Sequence, residues 1–254
     1  MGMRLLSPPE RLIVAADFKP DQKQERCQDN VHWVRRQVLT LANSLKGTGV
    51  YLKVNSALRA CGYGLIDEIH SLRLKVFADL KIFDIPETLS TDGVLLREFQ
   101  PELLTVVCIA GIPAMRALKA ELPDTEVLGV TVLTNLTNDD TQAMFTCSTE
   151  EAVRRFTQLA EDAALDGLIS SSKEAEMIRA EFGIMMTLNT PAIRPKWSIV
   201  AGDDQNPERI MTPAKAIRAG ADRIVVGRPI TQAAKPYDAV MRTIEEIAST
   251  TRMM

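Results

Sequence analysis

Short runs rich in Val, Ile and Leu recur along the chain, separated by longer stretches in which apolar residues step by three and four. The runs cover 12–17, 50–55, 75–80, 103–109, 127–133, 167–171, 185–189 and 223–227. Continuous apolar runs of this length suit parallel strands covered on both faces. Between them, Val31, Val34, Val38, Leu41 and Leu45 form one helical stripe. Val153, Phe156, Leu159, Ala160 and Ala163 form another, and Val240, Ile244, Ile247 and Ala248 a third. Thr149 before Glu150 and Glu151 reads as a helix start. Thr212 followed by Pro213 reads as an N-cap with a first-turn proline.

Eight strand–helix units in 254 residues have the size and rhythm of a closed (β/α)8 TIM barrel of the α/β class. One domain over residues 1–254 is the economical division. A doubly wound open sheet is the alternative, but its Gly-x-Gly-x-x-Gly fingerprint is missing after the first run, which leads into Ala15-Ala16-Asp17-Phe18-Lys19. Two strand-to-helix connections are long, 134–148 and 190–211. Loops of that length tend to be lids or binding loops, and both would lie on the C-terminal face, where barrels carry their active sites.

Polar residues collect at the predicted strand ends: Asp17 on the first, Lys53 on the second, Asp79 and Lys81 on the third, Gly227-Arg228 on the eighth. Asp79 and Lys81 are two apart, so on an extended chain they point the same way. Buried charges are costly unless paired. One such pair reads equally well as a salt bridge closing the barrel top. Four alternating charges on three strands point instead to chemistry. Glycine then arginine after the eighth strand suits a phosphate, through close backbone approach and a bidentate charge. His32 and His70 fall in helical stretches and read as ordinary helix-face residues.

Composition narrows the field. Hydrophobic residues make up 46% and charged residues 25%, as in an ordinary globular protein. A formal net charge of -3 gives no reason to expect nucleic acid or an anionic membrane as a partner. Cys27, Cys61, Cys108 and Cys147 are widely spaced, with no Cys-x-x-Cys, so reduced thiols in a cytoplasmic protein are expected. Residues 1–11 lack the apolar run of a signal peptide, and no stretch has the length and apolarity of a membrane span.

The segment Asp79-Leu80-Lys81-Ile82-Phe83-Asp84-Ile85-Pro86-Glu87-Thr88 resembles the signature Asp-x-Lys-x-x-Asp-Ile-Pro-Asn-Thr of the orotidine 5′-monophosphate decarboxylase family. The likeness runs through nearly the whole chain in order. It takes in Asp17, Leu52-Lys53-Val54, Val130-Thr131-Val132-Leu133-Thr134, Ile193-Arg194-Pro195, Gly202-Asp203-Asp204-Gln205, Arg209-Ile210-Met211-Thr212-Pro213 and Val226-Gly227-Arg228-Pro229-Ile230-Thr231. Glu87 stands for the usual Asn, Asn55 for a Gly, Cys108 for a His and Ala192 for a Gly, and the loop after strand seven is longer.

The resemblance implies conversion of orotidine 5′-monophosphate to uridine 5′-monophosphate and carbon dioxide, with no cofactor and no metal. It assigns Lys81 as general acid within a network of Lys53, Asp79, Lys81 and Asp84. It places Asp17 and Lys53 at the ribose and Thr134 at the pyrimidine. It has Arg194, Gln205, Gly227 and Arg228 hold the phosphate and close the lid. It also implies a homodimer with shared active sites, in which Asp84 and Thr88 complete the neighbour's pocket. Metal-dependent sugar-phosphate decarboxylases and aldolases share Asp-x-Lys-x-x-Asp, but carry a metal-binding Glu at the end of strand two, where this chain has Lys53. A barrel that binds nucleotide without turnover is a third reading.

Overall fold

The computed structural model describes residues 6–21, 26–183, 186–198 and 211–251. In chain order the elements are β1 (Leu12–Ala15), α1 (Cys27–Ser44), β2 (Tyr51–Val54), α2 (Ser56–Cys61), α3 (Gly64–Ser71), β3 (Lys75–Ile82), α4 (Pro86–Arg97), β4 (Leu103–Val107) and α5 (Ile112–Glu121). They continue with β5 (Glu126–Val130), α6 (Asn138–Phe145), α7 (Thr149–Asp162), β6 (Gly167–Ile169), α8 (Ala175–Phe182), β7 (Thr187–Thr190), α9 (Pro213–Arg218), β8 (Arg223–Val226), α10 (Arg228–Thr231) and α11 (Pro236–Thr251). Every strand pairs in parallel with the next in sequence, and β8 closes on β1 through Leu12↔Ile224, Ile13↔Val225 and Val14↔Val226. This is the closed single-domain (β/α)8 barrel that the apolar rhythm predicts.

Side-chain alternation along each strand divides the core in two. Ile13, Ala15, Tyr51, Phe77, Leu103, Leu128 and Val225 form a small cluster inside the barrel. Their strand neighbours Leu12, Val14, Leu52, Val76, Leu104, Val127 and Val226 belong to the larger cluster shared with the helices. The stripes predicted for α1, α7 and α11 supply Val34, Val38, Leu41, Val153, Phe156, Ala160, Val240, Ile244 and Ile247 to it. Among the described residues no helix is long and apolar enough to cross a membrane.

Some boundaries differ from the sequence expectation. Most strands stop earlier than their apolar runs, because the final residues turn into the loops that carry polar groups. The connection 134–148 is not an open loop but contains α6, started by a capping box in which Thr137 and Asp140 bond each other's backbone N–H. Ser148, rather than Thr149, caps α7 by accepting from the Glu151 N–H at 3.2 Å. Thr212 caps α9 as expected, accepting from the Lys215 N–H at 3.3 Å.

Candidate active site

The charged residues at the ends of β1, β2 and β3 meet at the barrel mouth. Lys53 Nζ donates to both oxygens of Asp17, at 2.8 and 3.0 Å, and to Asp79 Oδ2 at 3.2 Å. Lys81 Nζ donates to Asp79 Oδ1 at 2.6 Å. Lys53 and Asp79 are buried, whereas Asp17 and Lys81 retain 54% and 29% side-chain exposure. Burial alone would raise the Asp79 carboxyl. The Lys53 and Lys81 ammonium groups outweigh it and hold the carboxyl below its usual range. The alternation is Asp17, Lys53, Asp79, Lys81, with each buried charge flanked by opposite ones.

Asp79 and Lys81 do not meet by simple extension of the strand. β3 pairs with β4 at Ala78↔Leu104 and next at Ile82↔Val106, so four residue steps on β3 face two on β4. This irregularity turns Lys81 into the left-handed region, with φ of +49°. An unbroken strand would point the two side chains the same way; the ammonium reaches the carboxylate through the bulge instead.

A cavity of about 550 Å³ opens above the network. Asp17, Lys53, Asp79 and Lys81 line one side, and Thr134, Arg194, Gly227 and Arg228 line it further round. A volume of this size is ordinary for a small-molecule site. Gly227 caps the short helix α10, and a Cβ there would make an ordinary contact with the Ala15 Cβ at 3.7 Å.

Arg194 lies at the start of the long loop after β7. A parallel bridge joins Ile193 to Met211, and the Arg194 N–H donates to the Met211 carbonyl at 3.0 Å, so the two limbs of the loop are tied at their base. The turn Lys196–Ser198 rests on α11: the Lys196 N–H donates to Glu246 Oε2 at 3.3 Å, and Arg242 lies 5.0 Å over the Trp197 ring. Gln205 lies outside the described residues.

Asp84 and Thr88 do not line this cavity. Asp84 is exposed at the entry to α4, and its Oδ1 accepts the N–H of Ile85 at 2.7 Å. Its neighbours Phe83 and Ile85 are 60% and 64% exposed. Of the positions where the chain departs from the family signature, Glu87 is exposed and outside the cavity, while Cys108 is wholly buried, its thiol pushed up to about 12 by desolvation. Asn55 Nδ2 reaches towards Asp79 Oδ2 at 3.5 Å. Ala192 occupies φ of +63°, a backbone state that suits the glycine it replaces.

Two polar residues of the site were not singled out by the sequence. Ser170, at the end of β6, lines the cavity. Thr105, in the middle of β4, is completely buried and bonds Asp79 Oδ1 at 3.0 Å. The only signal for Thr105 was a polar residue inside an apolar run.

A closed barrel that gathers a lysine–carboxylate network and two arginines around one cavity, at the C-terminal ends of its strands, is a (β/α)8-barrel enzyme. Residues 10–243 match the model of the Orotidine 5'-phosphate decarboxylase / HUMPS family, and the chain belongs to that family. It is 36% identical over 249 residues to orotidine 5'-phosphate decarboxylase of Syntrophus aciditrophicus (strain SB), covering 94% of this chain and 93% of the relative. It is 34% identical over 248 residues to the enzyme of the same name from Saccharophagus degradans, covering 95% of each. The crystal structure of orotidine 5'-phosphate decarboxylase from Lactobacillus acidophilus superposes with a TM-score of 0.75 at 26% identity, covering 94% of this chain and 99% of that one. Membership makes the chain an enzyme and a lyase.

Proposed function

We propose that this chain converts orotidine 5′-monophosphate to uridine 5′-monophosphate and carbon dioxide, the last step of de novo uridylate synthesis, without cofactor or metal. The observation that carries the reading is Asp79, buried and held ionised between two ammonium groups, one of which opens into the cavity. The bond from C6 to the carboxylate breaks and its electron pair stays on C6. The Lys81 ammonium stabilises that charge where it develops and then delivers a proton to C6, so the product carries C6–H and Lys81 is left to be reprotonated by water. Asp79 orients Lys81 and faces the departing carboxylate. Lys53 fixes Asp79 and reaches the ribose, Asp17 takes a ribose hydroxyl, and Thr134 bonds the pyrimidine.

Arg194, Gln205, Gly227 and Arg228 hold the phosphate. Its binding energy, remote from C6, serves to order the reacting end. The position of a metal-binding Glu in the sugar-phosphate relatives is taken here by Lys53, bonded to two carboxylates. The enzyme works as a homodimer in the cytoplasm, with no nucleic-acid or membrane partner. Asp84 and Thr88, set outside their own cavity, complete the neighbour's pocket, and exposed Phe83 and Ile85 beside Asp84 supply apolar surface for the contact.

The test is to add orotidine 5′-monophosphate and follow the loss of its ultraviolet absorbance, with and without a chelator. Turnover that survives exhaustive chelation is expected. No turnover overturns the reading, and loss on chelation restored by magnesium assigns the chain to the sugar-phosphate chemistry.

A further inference from the structure

The bulge at the end of β3 raises the question of what holds Lys81 in a left-handed conformation. L-residues with a Cβ rarely adopt that state, and they persist in it only where the surroundings over-determine it. Within β3 the neighbouring residues keep their strand partners up to Ala78, and pairing resumes at Ile82. The Lys81 N–H falls between those two pairings. It donates to the side-chain oxygen of Thr105 on β4, at 2.9 Å.

The same oxygen turns its proton to Asp79 Oδ1, at 3.0 Å. That carboxylate oxygen also accepts from Lys81 Nζ at 2.6 Å. The contacts close a ring: Lys81 backbone to Thr105 hydroxyl, hydroxyl to Asp79, Asp79 to Lys81 ammonium. A hydroxyl is suited to this place because it accepts and donates at once. Thr105 has no exposed surface and lies one inward position above Leu103, part of the inner core, so its side chain is fixed by packing as well as by bonds.

We propose that Thr105 is a positioning residue for the decarboxylation. Its hydroxyl locks the Lys81 backbone in the bulge and aims Asp79 Oδ1, so that the Lys81 ammonium meets C6 at a fixed place. The proposal rests on the reading of Lys81 as the proton donor. A buried threonine that only fills space would do neither task.

Thr105→Val keeps the shape and removes both bonds; Thr105→Ser keeps both bonds and removes a methyl. With orotidine 5′-monophosphate, Thr105→Val should lower kcat by on the order of 100-fold, the scale of loss for a misplaced reacting group. KM and the dissociation constant of uridine 5′-monophosphate should change by less than about threefold, because the phosphate contacts remain. Thr105→Ser should recover kcat to within about fivefold of the parent, since the hydroxyl that aims the reacting group is restored. Hydrogen exchange at the Lys81 amide, followed by mass spectrometry, should quicken in Thr105→Val and not in Thr105→Ser.

Unchanged kcat in Thr105→Val, or a serine variant as slow as the valine one, overturns the proposal. If Thr105→Val does not fold, Thr105→Cys replaces it, and kcat between the serine variant and background is the expected result; parental kcat there overturns it equally. Failure of the function reading is distinct: the parent enzyme itself then leaves orotidine 5′-monophosphate unchanged, while the exchange difference at Lys81 still reports on the bond.

Discussion

The barrel carries a buried charge network at each end, and the two are built differently. At the base, Arg223 is 1% exposed and makes a bidentate pair with Glu126, at 2.6 and 2.9 Å, with a further bond to Asn189 Oδ1 at 3.3 Å. Its guanidinium and Lys75 Nζ each lie 5.2 Å from the Tyr51 ring, and Lys75 pairs with Glu10 at 2.7 Å. At the mouth, Asp79 accepts from Lys53, Lys81 and Thr105, while the Lys81 ammonium has one hydrogen-bond partner among the described residues. Its other donors face the cavity. The base is turned inward and mostly paired, Arg223 Nε alone of the guanidinium nitrogens lacking a hydrogen-bond partner among the described residues. The mouth keeps valence in reserve, with its lysine on a strained backbone. Charge at the base joins strand to strand; charge at the mouth lines a cavity.

Lys81→Ala separates the two ends most sharply. With the proposed acid and charge stabiliser both gone, turnover should fall by at least about 10⁴-fold. Uridine 5′-monophosphate should still bind, and the melting temperature should hardly move because Lys53 still pairs Asp79. A variant keeping a tenth of parental turnover would remove Lys81 from the chemistry.

The proposed exchange of Asp84 across a homodimer also predicts how two dead proteins behave when mixed. Inactive Lys81→Ala and inactive Asp84→Ala subunits should regain up to about a quarter of parental activity on random exchange, because one pocket of each mixed dimer escapes both defects. A mixture that stays dead despite verified exchange assigns Asp84 to its own subunit.

Breaking the base should do the reverse. Arg223→Met leaves Glu126, 35% exposed, without its charged partner and should cost about 1–3 kcal/mol in urea unfolding, with kcat per folded molecule nearly unchanged. Replacing Glu126 by Leu as well should recover much of the loss. A fall in kcat matching the fall in stability would mean that the two ends are coupled.

The smallest effect belongs to Glu10. Its hydrogen bond from Lys75, with help from Ser7, lowers its pKa from 4.5 to about 2. A carboxyl depressed on folding stabilises above its unfolded pKa and loses that contribution as pH falls through the folded one. The parent should therefore lose more melting temperature between pH 5 and pH 2 than Glu10→Gln does. Above pH 5 the parent should lead by no more than about 1 kcal/mol. Parallel acid profiles for the two proteins would refute the assignment.

What could be read from the sequence divides along similar lines. Strand order and the barrel follow from eight apolar runs, because burial on both faces leaves a plain signal. Asp17, Lys53, Asp79 and Lys81 stood out because charge at the end of such a run is unusual, and the structure brings all four together. Thr105 did not stand out, since a threonine in a strand needs no explanation until its neighbour across the sheet is known. The left-handed turn at Lys81 is equally silent, arising from a register shift between two strands far apart in sequence. At Ala192 the sequence did carry a trace: an alanine where glycine is usual, now seen at positive φ. The capping signal of α6, Thr137 followed by Asp140, lies inside a connection whose length alone reads as a loop.

The knot at the base of the loop after β7 has a consequence for how this enzyme can be rebuilt. Ile193 and Met211 are joined, and the turn at Lys196–Ser198 is moored to α11, so the departure and arrival points of the intervening chain are set by the scaffold. A hoop with clamped ends can be lengthened or shortened without moving the clamps. The entropy of closing it grows only with the logarithm of its length, about 0.6 kcal/mol for each doubling. Arg194 sits at the clamp, so the arginine keeps its station beside the cavity whatever the length of the chain between the clamps.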